Sequence, residues 1–371
     1  MARVARVEAF ASDEIATIHV MNRVVRRCFL MGTDELTGKN YDHRKTWVEK
    51  ELKRLAAGFG IDLLTFAIMS NHFHLILRSR PDVVATWDDT EVARRWLMLC
   101  PVRKLADGGA AEPSEPELNS IRFDDDKVKT IRSRLSDISW WMRLLCQRIA
   151  QKANFEEEIS GKFWQSRYRA VRLIDEEAIL ACAAYVDLNP IRAGIAQTIE
   201  DSPFTAAQLR LEAIVGAVEG SVDAVTSQAI DHSAEQASIS ACVEVKTPID
   251  SFLSPLEIDE RNDPVGARAR VSSDRCSDKG FLAMPAVAYL ELLDWTARQI
   301  VTGKRFSTPE DAPPLLERLK IKPAVWFELV TQFGRLFSLV AGQPHRVDDY
   351  RSRLRRKRYH VRRAARELLT A

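Results

Sequence analysis

The sequence predicts an α+β chain with a helical C-terminal extension. Three observations carry that expectation. Residues 15–22 (IATIHVMN) are β-branched and alternating, which reads as a strand. Residues 62–69 and 73–78 are apolar runs split by the short link Ser70-Asn71-His72, which reads as a hairpin. Helical apolar periodicity stands between and after these strands, and from Phe281 onward it is the only pattern.

Along the chain, residues 41–59 follow the first strand as a helix. Trp47, Leu52 and Leu55 recur at near-helical spacing, and Gly58 and Gly60 stop it. After the hairpin, 87–99 is a second helix, broken by Pro101. Residues 105–126 hold Gly108-Gly109, Pro113, Pro116 and three consecutive Asp. They read as a mobile loop in an insertion over about 99–135. A long amphipathic helix (136–153), a short strand (168–173) and a helix over 175–186 follow. The last has its cap near Asp175 and is closed by Asn189-Pro190. Residues 209–217 look helical, and the Ser/Ala-rich 220–244 reads as a linker or a surface-lying helix. In the C-terminal part Tyr289, Leu292, Leu293, Trp295 and Ile300 are periodic. Segments 315–319 and 323–340 continue the pattern, and tail helices run to Leu369. The organisation expected is a first unit over 1–215, a linker over 216–250 and a helical extension over 251–371, with no internal repeat.

Composition bounds the class. The chain has 371 residues, 46% hydrophobic and 29% charged, which fits an ordinary globular protein of two or three domains. Its six cysteines form no C-x-x-C pair, so a cysteine-rich zinc module and a disulfide scaffold are both disfavoured. They read as reduced cytosolic thiols. The N-terminus lacks an apolar leader, and no run of about 18 apolar residues exists to span a membrane. A cytoplasmic, nucleoid-associated location is expected. The net charge of +2 conceals a cluster: residues 351–366 hold nine Lys/Arg and no acid, so the rest is net acidic. Such a cluster reads either as a polyanion contact or as a solubilising tail.

Two histidines stand out. His72 and His74 flank Phe73 on a predicted strand, where residues two apart share a face. They can meet one divalent cation, or they are ordinary strand histidines. Tyr185 and Asn189 lie four apart on a predicted helix. A tyrosine hydroxyl ordinarily holds its proton at neutral pH, but a divalent metal that neutralises a scissile phosphate makes its attack feasible. Asn189 offers a carbonyl oxygen suited to Mg²⁺ or Mn²⁺. The plain alternative is a half-buried core tyrosine and an asparagine that ends the helix before Pro190.

Three strings in order, MSNHFHLIL (69–77), GKFWQSRYRAV (161–171) and AAYVDLNPIRAGI (183–195), resemble the single-tyrosine HUH transposases, closest to the REP-associated branch. IHVMNRVVRR (18–27) resembles that family's first strand, and the likeness covers about residues 10–215. The resemblance implies a ferredoxin-like antiparallel sheet with packed helices. It implies His72, His74 and Asn189 around one Mg²⁺ or Mn²⁺, with no ATP. Tyr185 becomes the nucleophile that forms a 5′-phosphotyrosine link to single-stranded or hairpin DNA and leaves a free 3′-OH. DNA contacts are expected from Arg23, Arg26, Arg27, Arg167, Tyr168, Arg169 and Arg192. Each alone reads as a surface residue; as a set beside the motif they favour DNA. Trp164 and Gln165 read equally as core or site. The chain departs from the pattern at Ser70, where the family often has Pro, and in the insertion. Residues 288–306 resemble an extension of longer members. There Arg298, Lys304, Arg305 and the basic end fit a phosphate-binding surface, with Tyr359 and His360 stacking or on a solvated helix face.

These readings give a DNA strand-cleaving and strand-transferring enzyme, monomeric or homodimeric. The alternative is a domesticated hairpin-binding protein without productive transposition. A two-histidine phosphoesterase would need a second H-x-[ST] motif, which His19, His43, His232, His345 and His360 do not supply.

Overall fold

A computed structural model describes residues 13–25, 28–106, 108–230, 248–259, 269–270, 273–302, 313–353 and 358–370. The strands are β1 (Thr17–Arg23), β2 (Ile61–Ile68), β3 (His72–Ser79), β4 (Arg169–Leu173) and β5 (Val340–Ala341). The first nine helices are α1 (His43–Gly58), α2 (Pro81–Ala85), α3 (Asp89–Leu99), α4 (Glu115–Arg122), α5 (Asp125–Leu135), α6 (Ile138–Glu156), α7 (Glu176–Asp187), α8 (Asn189–Arg192) and α9 (Ala206–Ile230). The C-terminal helices are α10 (Ala286–Thr302), α11 (Pro314–Arg318), α12 (Pro323–Leu336), α13 (Pro344–Arg353) and α14 (Arg363–Thr370).

The fold is α+β. Its strands form one mixed sheet in the order β2-β3-β1-β4-β5. The first four pair antiparallel, and β5 joins β4 in parallel. Strand alternation divides the sheet between two cores. On one face Ile18, Val20, Leu63, Phe66, Phe73, Leu75 and Leu77 pack against α1, α3, α5 and α6. On the other, Leu64, Ala67, Ile76, Val171 and Leu173 pack against α7 and the C-terminal helices. A register shift between Leu63 and Thr65 lets Leu63 and Phe66 share the first face. No described helix is long and apolar enough to cross a membrane.

The predicted hairpin is β2–β3, and the first strand and long helix stand within a few residues of their expected bounds. Three segments differ. The expected loop at 105–126 instead contains α4 and the start of α5. Ser114 and Glu117 close a capping box on α4, and Asp124 caps α5 by accepting from the Lys127 N–H at 3.0 Å. The three consecutive Asp are thus a cap and a first turn, where negative charge complements the helix dipole. The helix expected over 323–340 ends at Leu336, and Val340–Ala341 become the fifth strand. Asn189 and Pro190 do not close the preceding helix. They open α8, where Pro lacks only an N–H that the first turn leaves unbonded.

The C-terminal segment is tied to the sheet by charge as well as by apolar burial. Arg78 and Arg80 share the fully buried Asp62 carboxylate, at 2.7 and 3.3 Å. Ser277 Oγ donates to Asp62 at 2.7 Å, while Arg78 donates to the carbonyls of Lys279 and Gly280. Burial alone would raise the Asp62 carboxyl, but the two guanidiniums hold it below the ordinary range. In the basic end, Arg366 and Arg351 pair with Asp348, and Arg363 pairs with Glu367. Tyr359 is buried and stacked on Tyr350 at 5.9 Å, so it is not a stacking platform for bases, whereas His360 is exposed. Arg298 pairs with Asp294; Lys304, Arg305 and residues 355–357 lie outside the described residues.

Candidate active site

The site forms where β3, β1 and the C-terminal end of α7 meet. On β3, His72 and His74 project from one face, with ring centroids 5.0 Å apart, and Phe73 enters the opposite core. Cross-strand pairing sets Arg23 beside His72 and Met21 beside His74. His19, two residues before Met21, reaches the same face. Its Nε2 lies 2.8 Å from His74 Nδ1, and the two rings stack. His72 Nδ1 lies 2.7 Å from the Asn71 side-chain oxygen. Each histidine of the pair therefore has its Nδ1 engaged. If Nδ1 carries the proton, the Nε2 lone pair of each is left free, which is how ligating histidines are oriented.

All three imidazoles are held neutral. Burial, then the charges of Arg23 and Arg192, lowers His72 to about 4. Burial, with Arg169 and Arg192, lowers His19 to about 3. Burial and the neighbouring histidines push His74 well below its ordinary value. Neutral imidazole is the form that binds a metal.

Tyr185 comes from α7. Asp175 caps that helix, accepting from the Ala178 N–H at 2.9 Å, and its other oxygen accepts from the Gln343 N–H at 2.6 Å. A cap of this kind is worth about 1 kcal/mol; here it also ties α7 to the segment after β5. Small residues, Ala181 and Ala184 among them, bury the inner face of α7. Tyr185 itself is half-buried. Its ring meets His74 edge-on at 5.6 Å and His19 at 6.0 Å.

Arg192 joins the helix pair. Its guanidinium lies 3.9 Å from the Tyr185 ring centre, and its Nη2 donates to the Tyr185 carbonyl at 2.9 Å and to Asn189 Oδ1 at 3.0 Å. Gly194, at φ +69°, then ends α8 in a conformation that suits glycine. Asn189 Nδ2 and Arg192 Nε are buried without a hydrogen-bond partner. Each is costly to leave unpaired.

The C-terminal extension covers this site. Phe333 of α12 packs on Tyr185 at 5.6 Å and on His19 at 6.2 Å. A Cβ at Gly334 would stand 3.1 Å from the Tyr185 hydroxyl oxygen. Between them lies a cavity of about 30 Å³, lined by His19, His74, Arg169, Tyr185, Phe333 and Gly334 among others.

The structure thus gathers Tyr185, His74, His72, Asn189 and Arg192 in one region. Arg23 and Arg169 stand at its edge, on the ends of β1 and β4. Arg167 is exposed, while Tyr168 is buried with its hydroxyl 3.2 Å from Ser139 Oγ, and both lie by a second cleft. Arg26 and Arg27 lie outside the described residues. Sequence reasoning passed over His19, Phe333 and Gly334. His19 carried a signal, since it alternates in phase with Met21 and Arg23 on the first strand.

Among the described residues no group of three or more His, Cys, Asp or Glu is placed to hold a metal ion. The donor set on offer is the two free imidazole nitrogens and the second lone pair of Asn189 Oδ1. The neutral pair fits a divalent ion that fills its shell with water and phosphate oxygens.

No family model matches the chain, and no curated protein matches it. Among solved structures it is similar to one described as the structure of the REP-associated tyrosine transposase bound to a REP hairpin. The TM-score is 0.30 and the identity 11%, over 51% of this chain and 75% of that one.

Proposed function

We propose that the chain cleaves and transfers single-stranded or hairpin DNA through a covalent bond to Tyr185, with a divalent cation held at His72 and His74. The observation that carries this reading is the edge-on contact of Tyr185 with His74 at 5.6 Å, which joins two of the three motif strings across the fold. The strand order β2-β3-β1-β4, with α1 and α6 on one face, supports a ferredoxin-like core to which β5 is added.

In this reading Tyr185 Oη attacks phosphorus, the bond from phosphorus to the 3′ oxygen breaks, and a 5′-phosphotyrosine remains. The phenol proton goes to solvent and the departing 3′ oxygen gains one, so charge and atoms balance. Arg192 faces the phenol ring and favours the negative charge that develops there. Arg192 Nε and Asn189 Nδ2 offer unfilled hydrogen bonds to the phosphate. His72 and His74 would hold Mg²⁺ or Mn²⁺, with Asn189 Oδ1 the third donor. The ion would supply charge neutralisation at the phosphate. Rejoining is the reverse attack by a 3′-OH and needs no ATP.

A second reading, DNA binding without cleavage, is favoured by one observation. Phe333 and Gly334 cover the side of Tyr185 that faces α12, and the space left between them is only about 30 Å³. Incubation of wild type and Tyr185→Phe with hairpin and single-stranded oligonucleotides, in Mg²⁺ or Mn²⁺, separates the two. The cleavage reading expects an adduct that survives denaturation and is missing in Tyr185→Phe. Hairpin binding with no adduct from wild type supports the binder instead.

A further inference from the structure

A second cleft, of about 380 Å³, opens on the opposite face of the sheet from the histidines. Trp140, Arg143 and Ser139 of α6 form one wall, Trp164, Arg167 and Tyr168 the other, and Asn22 of β1 lies at its base. Its size falls within the range of sites that take a small organic group. No carboxylate lines it.

The aromatic surface is already arranged for cations. Arg134 and Arg143 lie over the Trp140 ring at 4.5 and 4.6 Å. Among the described residues neither guanidinium pairs with a carboxylate. Trp164 is fixed at both ends: its indole N–H donates to the Cys146 carbonyl at 2.7 Å, and its ring meets Phe73 edge-on at 5.5 Å. Trp140 is half-buried and Arg143 exposed, so the charge over the indole is open to solvent. A structural core has no use for several arginines and two half-exposed tryptophans around an acid-free cavity. Planar rings flanked by guanidiniums suit a flat, anionic-backboned ligand, which is a nucleotide with its base unstacked.

The cleft also touches the site. Val24 bridges to Trp164, and the Gln165 N–H donates to the Arg23 carbonyl at 2.9 Å. Arg23 is the cross-strand partner of His72. A strand that runs over the Arg23 end of the sheet passes from the histidine side to the cleft.

We infer that the Trp140–Trp164 cleft holds one unpaired nucleobase of single-stranded DNA, stacked on an indole with its phosphate against Arg143 or Arg167. This inference rests on the proposed single-stranded DNA substrate but not on cleavage. It names how the strand beside the cut is held.

The test uses full-length Tyr185→Phe as parent, which binds without forming a bond. Fluorescence anisotropy measures its affinity for a short mixed-sequence oligonucleotide, single-stranded and annealed as a duplex. Trp140→Ala and Arg143→Gln are each expected to weaken single-strand binding about tenfold and to leave duplex binding within about twofold. Trp140→Phe, which keeps a stacking ring, is expected to restore most of the loss and guards against misfolding of the alanine variant. A strand carrying 5-iodouracil is expected to cross-link to the peptides holding Trp140 or Trp164. Unchanged single-strand affinity in both variants, an equal loss on duplex, or cross-links mapping only elsewhere would overturn the assignment. Adduct formation by wild type is scored separately. Cleft variants that lose the strand while wild type forms no adduct would sink cleavage and leave the cleft standing. An adduct with cleft binding untouched would do the reverse.

Discussion

Gly334→Ala probes whether α12 stays in place during reaction. The added Cβ would stand 3.1 Å from the Tyr185 hydroxyl oxygen and 3.7 Å from its ring carbon. That is a few tenths of an ångström inside ordinary contact, so the phenol must give. It cannot give freely, because Arg192, Phe333, His74 and His19 hem the ring. Alanine in place of a helical glycine gains up to about 1 kcal/mol, so the variant folds. A misplacement of about 1 Å costs on the order of a hundredfold in rate. A displacement of a few tenths is therefore expected to slow adduct formation about threefold to tenfold. The assay is single-turnover adduct formation on a hairpin substrate, beside denaturant unfolding of the same variant. An adduct rate equal to wild type, in a protein at least as stable, would mean instead that α12 leaves Tyr185 before the chemistry.

Other outcomes follow from the same contacts. Arg192→Lys keeps the charge but loses the planar stack and fork, so adduct formation in the single-turnover assay should fall about tenfold. Asp62→Ala strands Arg78 and Arg80 in the interior and should cost about 3–5 kcal/mol by urea unfolding. Asp187 accepts from Thr65 and Tyr289, yet burial raises it to about 6. Its folded value lies above its unfolded value, so the contribution is full below about pH 4 and is lost as pH rises to about 6. The loss is about 3 kcal/mol, and the slope over that window should flatten in Asp187→Asn. Trp141→Ala, at a fully buried position against Phe59, should cost about 3–5 kcal/mol with a matching fall in the urea midpoint.

What the sequence made legible follows from range. The H-F-H alternation is a local, period-two signal, and it placed His72 and His74 on one face with Phe73 opposite. Tyr185, Asn189 and Arg192 share a few turns, so their proximity was also readable. His19 was missed because its partner His74 is 55 residues away, and only strand register brings them together. Phe333 and Gly334 were missed for the same reason. They belong to a segment whose own periodicity reports a helix and not what it covers. The Asp run at 124–126 misled because acids serve helix caps and loops alike, and only the hydrogen bond to the Lys127 N–H separates the two. β5 has two residues, too few for alternation to register.

The most direct test of the account is to locate the covalent bond. Wild-type protein is incubated with a hairpin oligonucleotide in Mg²⁺ or Mn²⁺, digested with protease, and the nucleotide-bearing peptide sequenced by mass spectrometry. One modified residue is expected, Tyr185, joined to a 5′ phosphate, with formation abolished in His74→Ala. A bond to any other residue, or cleavage products with no protein attached, would contradict it.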